Sequence, residues 1–327
     1  MTKHISPEKS PGARQARLPA FVTPQLATLV KAPPSGDEWL HELKFDGYRM
    51  LCRINQGAAS FSSRNENDWS KKFSNLLAAA RDIHAETALI DGEVVIFDRD
   101  GRSNFQKLQH AIHSIAATRF IFVAFDLIHL NGFDLTQVAL EERKRLLKSL
   151  FESIPATSPY RYSDHVEGNG DLFFQHACKT GIEGIVSKQR SSFYESTRSR
   201  SWLKTKCNKR QEFVIVGFVD SEKGLPGFGA LVLGVYDGNQ LIYAGRVGTG
   251  FTMKQRVDIR ALLDPLVRHS SALSVIPKDP GLRGAHWLEP KLVGEVAFTE
   301  WTDDGSIRHP SFQGLREDKR AQDVRRE

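Results

Sequence analysis

The feature that most constrains this chain is a change of pattern near residue 210. Before it, apolar residues switch between strand and helix periods. Residues 48–54 and 93–97 read as strands, and 119–129 as a longer strand partly buried on both faces. Phe73, Leu76, Leu77 and Ala80 predict a helix over 70–83, and Leu146, Leu147, Leu150 and Phe151 one over 141–151. A further helix is predicted over 171–179, with Asp171 at its start and Gly181 just past its end. After the break, 212–219, 231–236, 241–247 and 292–298 read as short strands between Gly-rich turns such as Asp237-Gly238, with one helical segment at 253–266. Several short strands with one helix fit a small β-barrel. The expectation is an α+β chain of two domains, 20–209 and 210–327. It is preceded by a disordered basic arm over 1–19, where Pro, Ser, Gly and charges show no periodicity.

Two domains also suit 327 residues at about 150 per domain. Apolar residues make up 40% of the chain and aromatics 9%, enough for ordinary cores, which excludes global disorder. The richest apolar stretch, 120–130, is shorter than the ~18 residues of a spanning helix and contains Asp126, so no membrane partner is expected. The N-terminus lacks the apolar segment of a secretory signal. Cys52, Cys178 and Cys207, without a CxxC, read as reduced and cytosolic.

The formal charge of +6 is unevenly spread. Lys188, Arg190, Arg198, Arg200, Lys204, Lys206, Lys209 and Arg210 stand against Glu195 alone within 186–211. Lys3, Lys9, Arg14 and Arg17 stand against Glu8 in the arm, so the rest of the chain is mildly acidic. A band of this kind suits a polyanion, through phosphate contacts and counterion release. It also suits a solvated surface.

Specific chemistry begins at Glu42-Leu43-Lys44-Phe45-Asp46-Gly47. In an extended segment Glu42, Lys44 and Asp46 project to one face. Such a ladder is either a surface charge pattern or a nucleophilic lysine. A lysine of ordinary pKa, about 10.4, needs help to attack near neutral pH. Neighbouring cations favour the neutral amine, whereas Glu42 and Asp46 favour the charged one. Trp202-Leu203-Lys204-Thr205-Lys206 offers those cations.

Ser63-Arg64-Asn65, Asp91-Gly92-Glu93-Val94, Phe125-Asp126-Leu127 and Glu183-Gly184-Ile185-Val186-Ser187-Lys188 follow in order. Each is weak alone. Together with Lys44, with Lys204 and Lys206, and with Arg316-Glu317-Asp318-Lys319, the set resembles the motifs of the covalent nucleotidyltransferases. These are the ATP-dependent DNA ligases and their RNA-ligase and capping-enzyme relatives. DGEVVIFDRDGRSNFQKLQ, FVAFDLIHLNG, EGIVSK and EVAFTEWTDDGSIRHPSFQGLREDK narrow the resemblance to the ligase module of bacterial ligase D. One departure is Glu66, where Gly is expected after Asn65; it bears on the local turn rather than on Arg64.

The resemblance implies a nucleotidyltransferase domain of ATP-grasp-like antiparallel sheets with helices, then an OB-fold. It implies Lys44 as the lysine that becomes adenylylated. Asp46, Lys204, Lys206, Arg316 and Lys319 are expected to assist catalysis. Glu42, Arg49, Arg64, Glu93 and Phe125, with Lys204 and Lys206, are expected to hold ATP and then AMP. Phe125 would stack on the base, and Lys204 and Lys206 would balance charge at the α-phosphate. Glu93 and Glu183 are the expected contacts of Mg2+ or Mn2+. Lys188, Arg198, Arg200, Lys209 and Arg210 are expected to face nicked or broken double-stranded DNA. A Ku-type end-binding partner, a role in end joining, a monomeric state and a bacterial, nucleoid-associated cytoplasmic location also follow from the resemblance.

Two other readings stand beside it. One is an RNA ligase or capping-type guanylyltransferase on the same scaffold. The other is a catalytically silent DNA-binding module. His110 and His113 have helical spacing for a metal, but no second pair completes a tetrahedral site.

Overall fold

The computed structural model describes residues 6–112, 119–207, 209–221 and 224–327. They form two compact units, Met1–Cys207 and Asn208–Glu327. His113, residues 1–5 of the arm and the Lys209 side chain lie outside the described residues.

The first unit holds two sheets. The larger runs in the order β1 (Arg14–Gln15), β8 (Phe133–Asp134), β7 (Ile121–Leu130), β6 (Thr87–Val95), β4 (Tyr48–Asn55) and β5 (Ala58–Ser63), with β9 (Tyr160–Tyr162) parallel beside β7. The second runs β10 (His165–Glu167), β3 (Trp39–Leu43), β11 (Gly184–Gln189), β12 (Arg198–Lys206) and β2 (Leu26–Leu29). Among the described residues, four α-helices accompany the sheets: α1 (Ser74–Ala78), α2 (Phe105–Ile112), α3 (Leu140–Glu152) and α4 (Gly170–Lys179).

Period-two alternation splits β4 and β6, whereas β7 shifts register against β6 at two points. Tyr48, Met50, Cys52, Ile54, Ile90, Val94 and Phe122 enter a core with Phe61, Phe73 and the Leu146–Leu147–Leu150 stripe of α3. Leu51, Leu89 and Ile128 lie in a separate cluster with Tyr194 and Trp202, from the chain segment that enters β12 and from β12 itself. The other face of the larger sheet is therefore turned toward the second sheet.

Buried charges tie α3 to both sheets. Arg143 forks onto Asp126 of β7, at 2.8 and 2.9 Å. Its neighbour Lys144 lies 3.0 Å from Glu42 of β3.

Within the expected arm, the described residues 6–19 are not disordered. Arg14–Gln15 pairs antiparallel with Phe133–Asp134, Ala16 N–H donates to the Gly132 carbonyl (2.8 Å), and Ser10 Oγ donates to Glu142 (2.6 Å). A sheet edge offers unpaired backbone groups, and even a polar extended segment satisfies them.

The helix expected over 70–83 is also different. Only Ser74–Ala78 is α-helical, between 3-10 turns at Ser70–Lys72 and Ala80–Asp82. Phe73, Leu76 and Ala80 are buried all the same. Spacing identifies the apolar face, but over two turns it scarcely separates three residues per turn from 3.6. Similarly, the strand expected at 93–97 is the end of a longer one, Thr87–Val95, which carries Asp91 inside it.

In the second unit the long β13 (Lys209–Val219) pairs with β14 (Ala230–Asp237), and over separate stretches with β18 (Val293–Phe298) and β17 (His286–Leu288). β15 (Gln240–Val247), β16 (Val267–Arg268) and β21 (Ser311–Leu315) extend this sheet, and β19 (Glu300–Trp301) pairs with β20 (Ile307–Arg308). The sheet bends around one core containing Phe213, Phe218, Phe228, Leu233, Val296 and Phe312. α5 (Met253–Leu263) opens with a reciprocal cap between Thr252 and Gln255.

Candidate active site

Register builds the site. Val186 of β11 stands opposite both Glu42 and Lys204, and Lys188 opposite Leu40 and Trp202. Alternation then places Leu40, Glu42, Val186, Lys188, Trp202, Lys204 and Lys206 on one face of the second sheet. Lys44 follows β3 directly, and its N–H donates to the Gly184 carbonyl (2.9 Å). On the larger sheet Arg49 pairs with Glu93, and Glu93 with Val123, so that Arg49, Asp91, Glu93 and Phe125 share the opposing face. Phe125 and Trp202 meet edge to face across the cleft, centroids 6.2 Å apart. Residues separated by 160 positions in sequence thus line one space.

Two glycines permit the close approach. A Cβ at Gly47 would stand 2.2 Å from the Val94 carbonyl oxygen, and one at Gly184 would stand 2.1 Å from that of Thr205. Both contacts are with backbone, which cannot give way.

Lys44 Nζ lies 2.6 Å from Glu183 Oε2, with the Lys44 side chain 23% exposed and Glu183 5%. Burial alone would lower the lysine pKa, but Glu183, Glu93 and Asp46 outweigh it and hold it above the ordinary value. The carboxylates acting on the amine include Asp46, as expected. Glu42 turns into the interior and binds Lys188 (2.8 Å), Lys144 (3.0 Å) and Ser163 Oγ (2.7 Å). Burial opposes its charge, yet the two lysines keep its pKa below the usual carboxylate value. A buried carboxylate must find cations, and it takes them from the strand beside it and from α3.

The same pairing corrects the expectation for Lys188. It is 2% exposed, donates to Glu42 and to the Phe125 carbonyl (3.0 Å), and lies over the Phe125 and Trp202 rings at 4.5 and 4.4 Å. It is thus no surface contact for a phosphate backbone. Arg198 and Arg200 do lie exposed at the start of β12, with Arg198 Nη1 donating to the Ala27 carbonyl (2.6 Å). Arg210 is half-buried on β13 of the second unit.

Arg49 forks onto Asp91 (3.0 and 2.6 Å) and lies 5.3 Å from the Phe125 ring. Arg64 is half-buried just past β5. The turn that follows it needs Gly-like backbone, since Glu66 adopts φ +62° where Gly was expected.

Arg316 is not presented as a free cation. It is 9% exposed, forks onto Asp318 (2.9 and 2.9 Å) and reaches Glu295 (3.1 Å), while Lys319 pairs with Glu212 (3.2 Å). Two carboxylates, Asp318 and Glu295, pair with the guanidinium within its own unit. The cysteines also differ from expectation, since Cys178 and Cys207 are joined and buried Cys52 alone is free. They are 29 residues apart in sequence, and spacing alone could not show that the end of α4 meets the end of β12.

Asp91, Tyr194, Trp202, Lys144 and Gln25 are buried members of this arrangement that sequence reasoning did not assign. Only Asp91, within DGE, and Trp202, within WLKTK, carried a signal; the others sit between motifs.

The chain matches the ATP dependent DNA ligase domain over residues 24–206 and the ATP dependent DNA ligase C terminal region over 225–319. It belongs to the ATP-dependent DNA ligases. Relatives include the multifunctional non-homologous end joining protein LigD of Pseudomonas aeruginosa, 39% identical over 96% of this chain and 39% of its own length. The multifunctional non-homologous end joining DNA repair protein LigD of Mycobacterium tuberculosis is 34% identical over 94% of this chain and 40% of its own. The chain therefore spans about two fifths of the length of these curated relatives. Among solved structures, mycobacterial DNA ligase D complexed with ATP and MES superposes with a TM-score of 0.70, at 32% identity, over 94% of this chain and 98% of that one. The chain is an ATP-dependent ligase module of the ligase D type, with mixed helices and antiparallel sheets followed by an OB-fold-like domain.

Among the described residues no group of three or more His, Cys, Asp or Glu could hold a metal. The donors beside Lys44 still fit the divalent metal that the family implies. Glu183 and Glu93 are hard oxygen ligands, and a magnesium-like ion takes few protein carboxylates, completing its shell with water and phosphate oxygens. Across all described residues, no helix is long and apolar enough to cross a membrane.

Proposed function

We propose that this chain seals breaks between a 5′-phosphate and a 3′-hydroxyl in double-stranded DNA, in repair by end joining, through an AMP adduct on Lys44. The observation that carries the reading is the Lys44–Glu183 pair at 2.6 Å, set between a sheet face with Phe125, Arg49 and Glu93 and one with Lys204 and Lys206.

In the first step the Lys44 amine attacks the α-phosphorus of ATP. A P–N bond forms, the bond to pyrophosphate breaks, and the lysine ammonium gives up two protons to solvent, keeping one N–H in the phosphoramidate. Lys204 and Lys206 balance the charge that gathers on the α-phosphate. Phe125 offers the flat face on which adenine stacks, and Arg49, Arg64 and Glu93 offer polar partners to the ribose. Asp46 orients the lysine. AMP then passes to the 5′-phosphate, and the 3′-hydroxyl displaces it. Glu183 and Glu93 would hold Mg2+ or Mn2+, which when bound offsets phosphate charge. Arg198, Arg200 and Arg210 are the candidate DNA contacts. The relatives that end-join DNA motivate a bacterial cytoplasmic setting at the nucleoid, a Ku-type partner and action as a monomer.

Incubation with labelled ATP or GTP, followed by a denaturing gel, tests the reading. Acid-labile, base-stable AMP label that disappears in Lys44→Ala is the expected result. Covalent GMP would make the chain a capping-type enzyme, and absence of label a binding module.

A further inference from the structure

Tyr194 lies outside every motif, between β11 and β12. It is 4% exposed, and its ring meets Trp202 edge to face at 6.1 Å. A phenylalanine would fill that space as well, so packing does not explain the hydroxyl. The hydroxyl donates to Asp91 Oδ2 (2.7 Å) and accepts the backbone N–H of Gln25 (3.1 Å). Both partners lead to Arg49. Asp91 receives Nε and Nη2 of Arg49, and the Gln25 carbonyl receives Nη1 (2.5 Å). Gln25 is itself fixed. It is fully buried, its amide donates to Ser199 and Ser201 (3.1 and 3.0 Å), and it accepts the Glu195 N–H (2.8 Å).

We propose that Tyr194 is a positioning residue for ATP. It locks Asp91 and Gln25 together, and they hold the Arg49 guanidinium in one orientation beside Phe125 before the nucleotide arrives. A free arginine loses much rotamer freedom when it binds; one held by acceptors from two chain segments, themselves joined by Tyr194, has lost it already. The inference rests on Arg49 as a nucleotide contact.

The experiment is a double-mutant cycle in the full chain. Tyr194→Phe, Arg49→Ala and the double variant are compared by single-turnover lysine labelling across ATP concentrations, with thermal melting alongside. Tyr194→Phe is expected to raise the ATP concentration for half-maximal labelling about tenfold, and to change nothing further once Arg49 is alanine. Losses that multiply in the double variant would overturn the inference and leave the Arg49 reading intact. Unchanged labelling in Arg49→Ala would overturn both. Asp91→Asn, which keeps shape and removes charge, runs through the same cycle and decides the matter if Tyr194→Phe melts too low to assay. Its effect must also vanish in the Arg49→Ala background.

Discussion

At the scale of single residues, the site presents a nucleophile in its protected form. Lys44 has its pKa raised by Glu183, Glu93 and Asp46 against the opposing effect of burial. Attack needs the neutral amine, so the labelling rate is expected to climb with pH through the neutral and mildly basic range. Glu183→Gln removes one of the charges that hold the proton, and the climb should begin at lower pH, even if the maximal rate falls. Single-turnover labelling across pH checks both, and coincident profiles would show that Glu183 does not set the proton affinity. Glu66 makes a second, independent case. Its left-handed φ of +62° strains a residue with a Cβ, so Glu66→Gly is expected to stabilise the chain by about 1 kcal/mol, read as a higher melting temperature.

Elements are fixed by caps, glycines and pairs. Thr252 accepts from Gln255 N–H while the Gln255 side chain answers the Thr252 N–H, which closes the first turn of α5. Thr252→Ala should cost about 1 kcal/mol by denaturant titration, without effect on lysine labelling. At Gly184 a Cβ would sit 2.1 Å from a carbonyl oxygen of the neighbouring strand. Gly184→Ala should therefore part β11 from β12 beside Lys206, and both stability and labelling should fall. Normal labelling in that variant would mean the strands adapt.

Within the first unit, α3 works as a bracket. Arg143 and Lys144 are consecutive, both buried, and reach carboxylates on different sheets, Asp126 and Glu42. Burial works against both acids, but their cations win and hold each pKa below the ordinary value. The unfolded chain binds those protons more readily than the fold. The stabilisation is therefore complete above the ordinary carboxylate range near pH 4 and is lost as pH falls through the lower folded values. Lys144 is shifted down as well, to about 8, because burial outweighs Glu42 and disfavours its charged form. The unfolded chain keeps that proton at higher pH than the fold, so this contribution grows between about pH 8 and pH 10. Melting temperature against pH is expected to drop steeply below pH 4. Asp126→Asn, which leaves Arg143 buried without its charge partner, should cost about 3–5 kcal/mol near neutral pH and flatten the acid limb. An unchanged acid limb would remove the bracket from the account.

What the sequence determined by itself was local or periodic. Alternation along 202–206 shows which side chains share a face, and the Leu146–Leu147–Leu150 stripe predicts α3 and its buried side; the extended segment expected to carry Glu42, Lys44 and Asp46 leaves the strand after Leu43. The ordered motifs identify the α+β nucleotidyltransferase and OB-fold classes, because each motif is a short stretch with its own chemistry. Tertiary structure decided the partners. Lys188 looks like a surface phosphate contact, but an extended strand cannot tell which sheet will cover it; here it is buried against Glu42 and Phe125. Arg316 reads as a cation that assists catalysis, and only the fold shows that Asp318 two residues on and Glu295 across the sheet pair with it. Cys178 meets Cys207, and Tyr194 meets Asp91, only because the chain between them folds back. Side-chain periodicity is a property of one strand or helix, whereas a buried charge is satisfied by whichever distant segment the fold brings within about 3 Å.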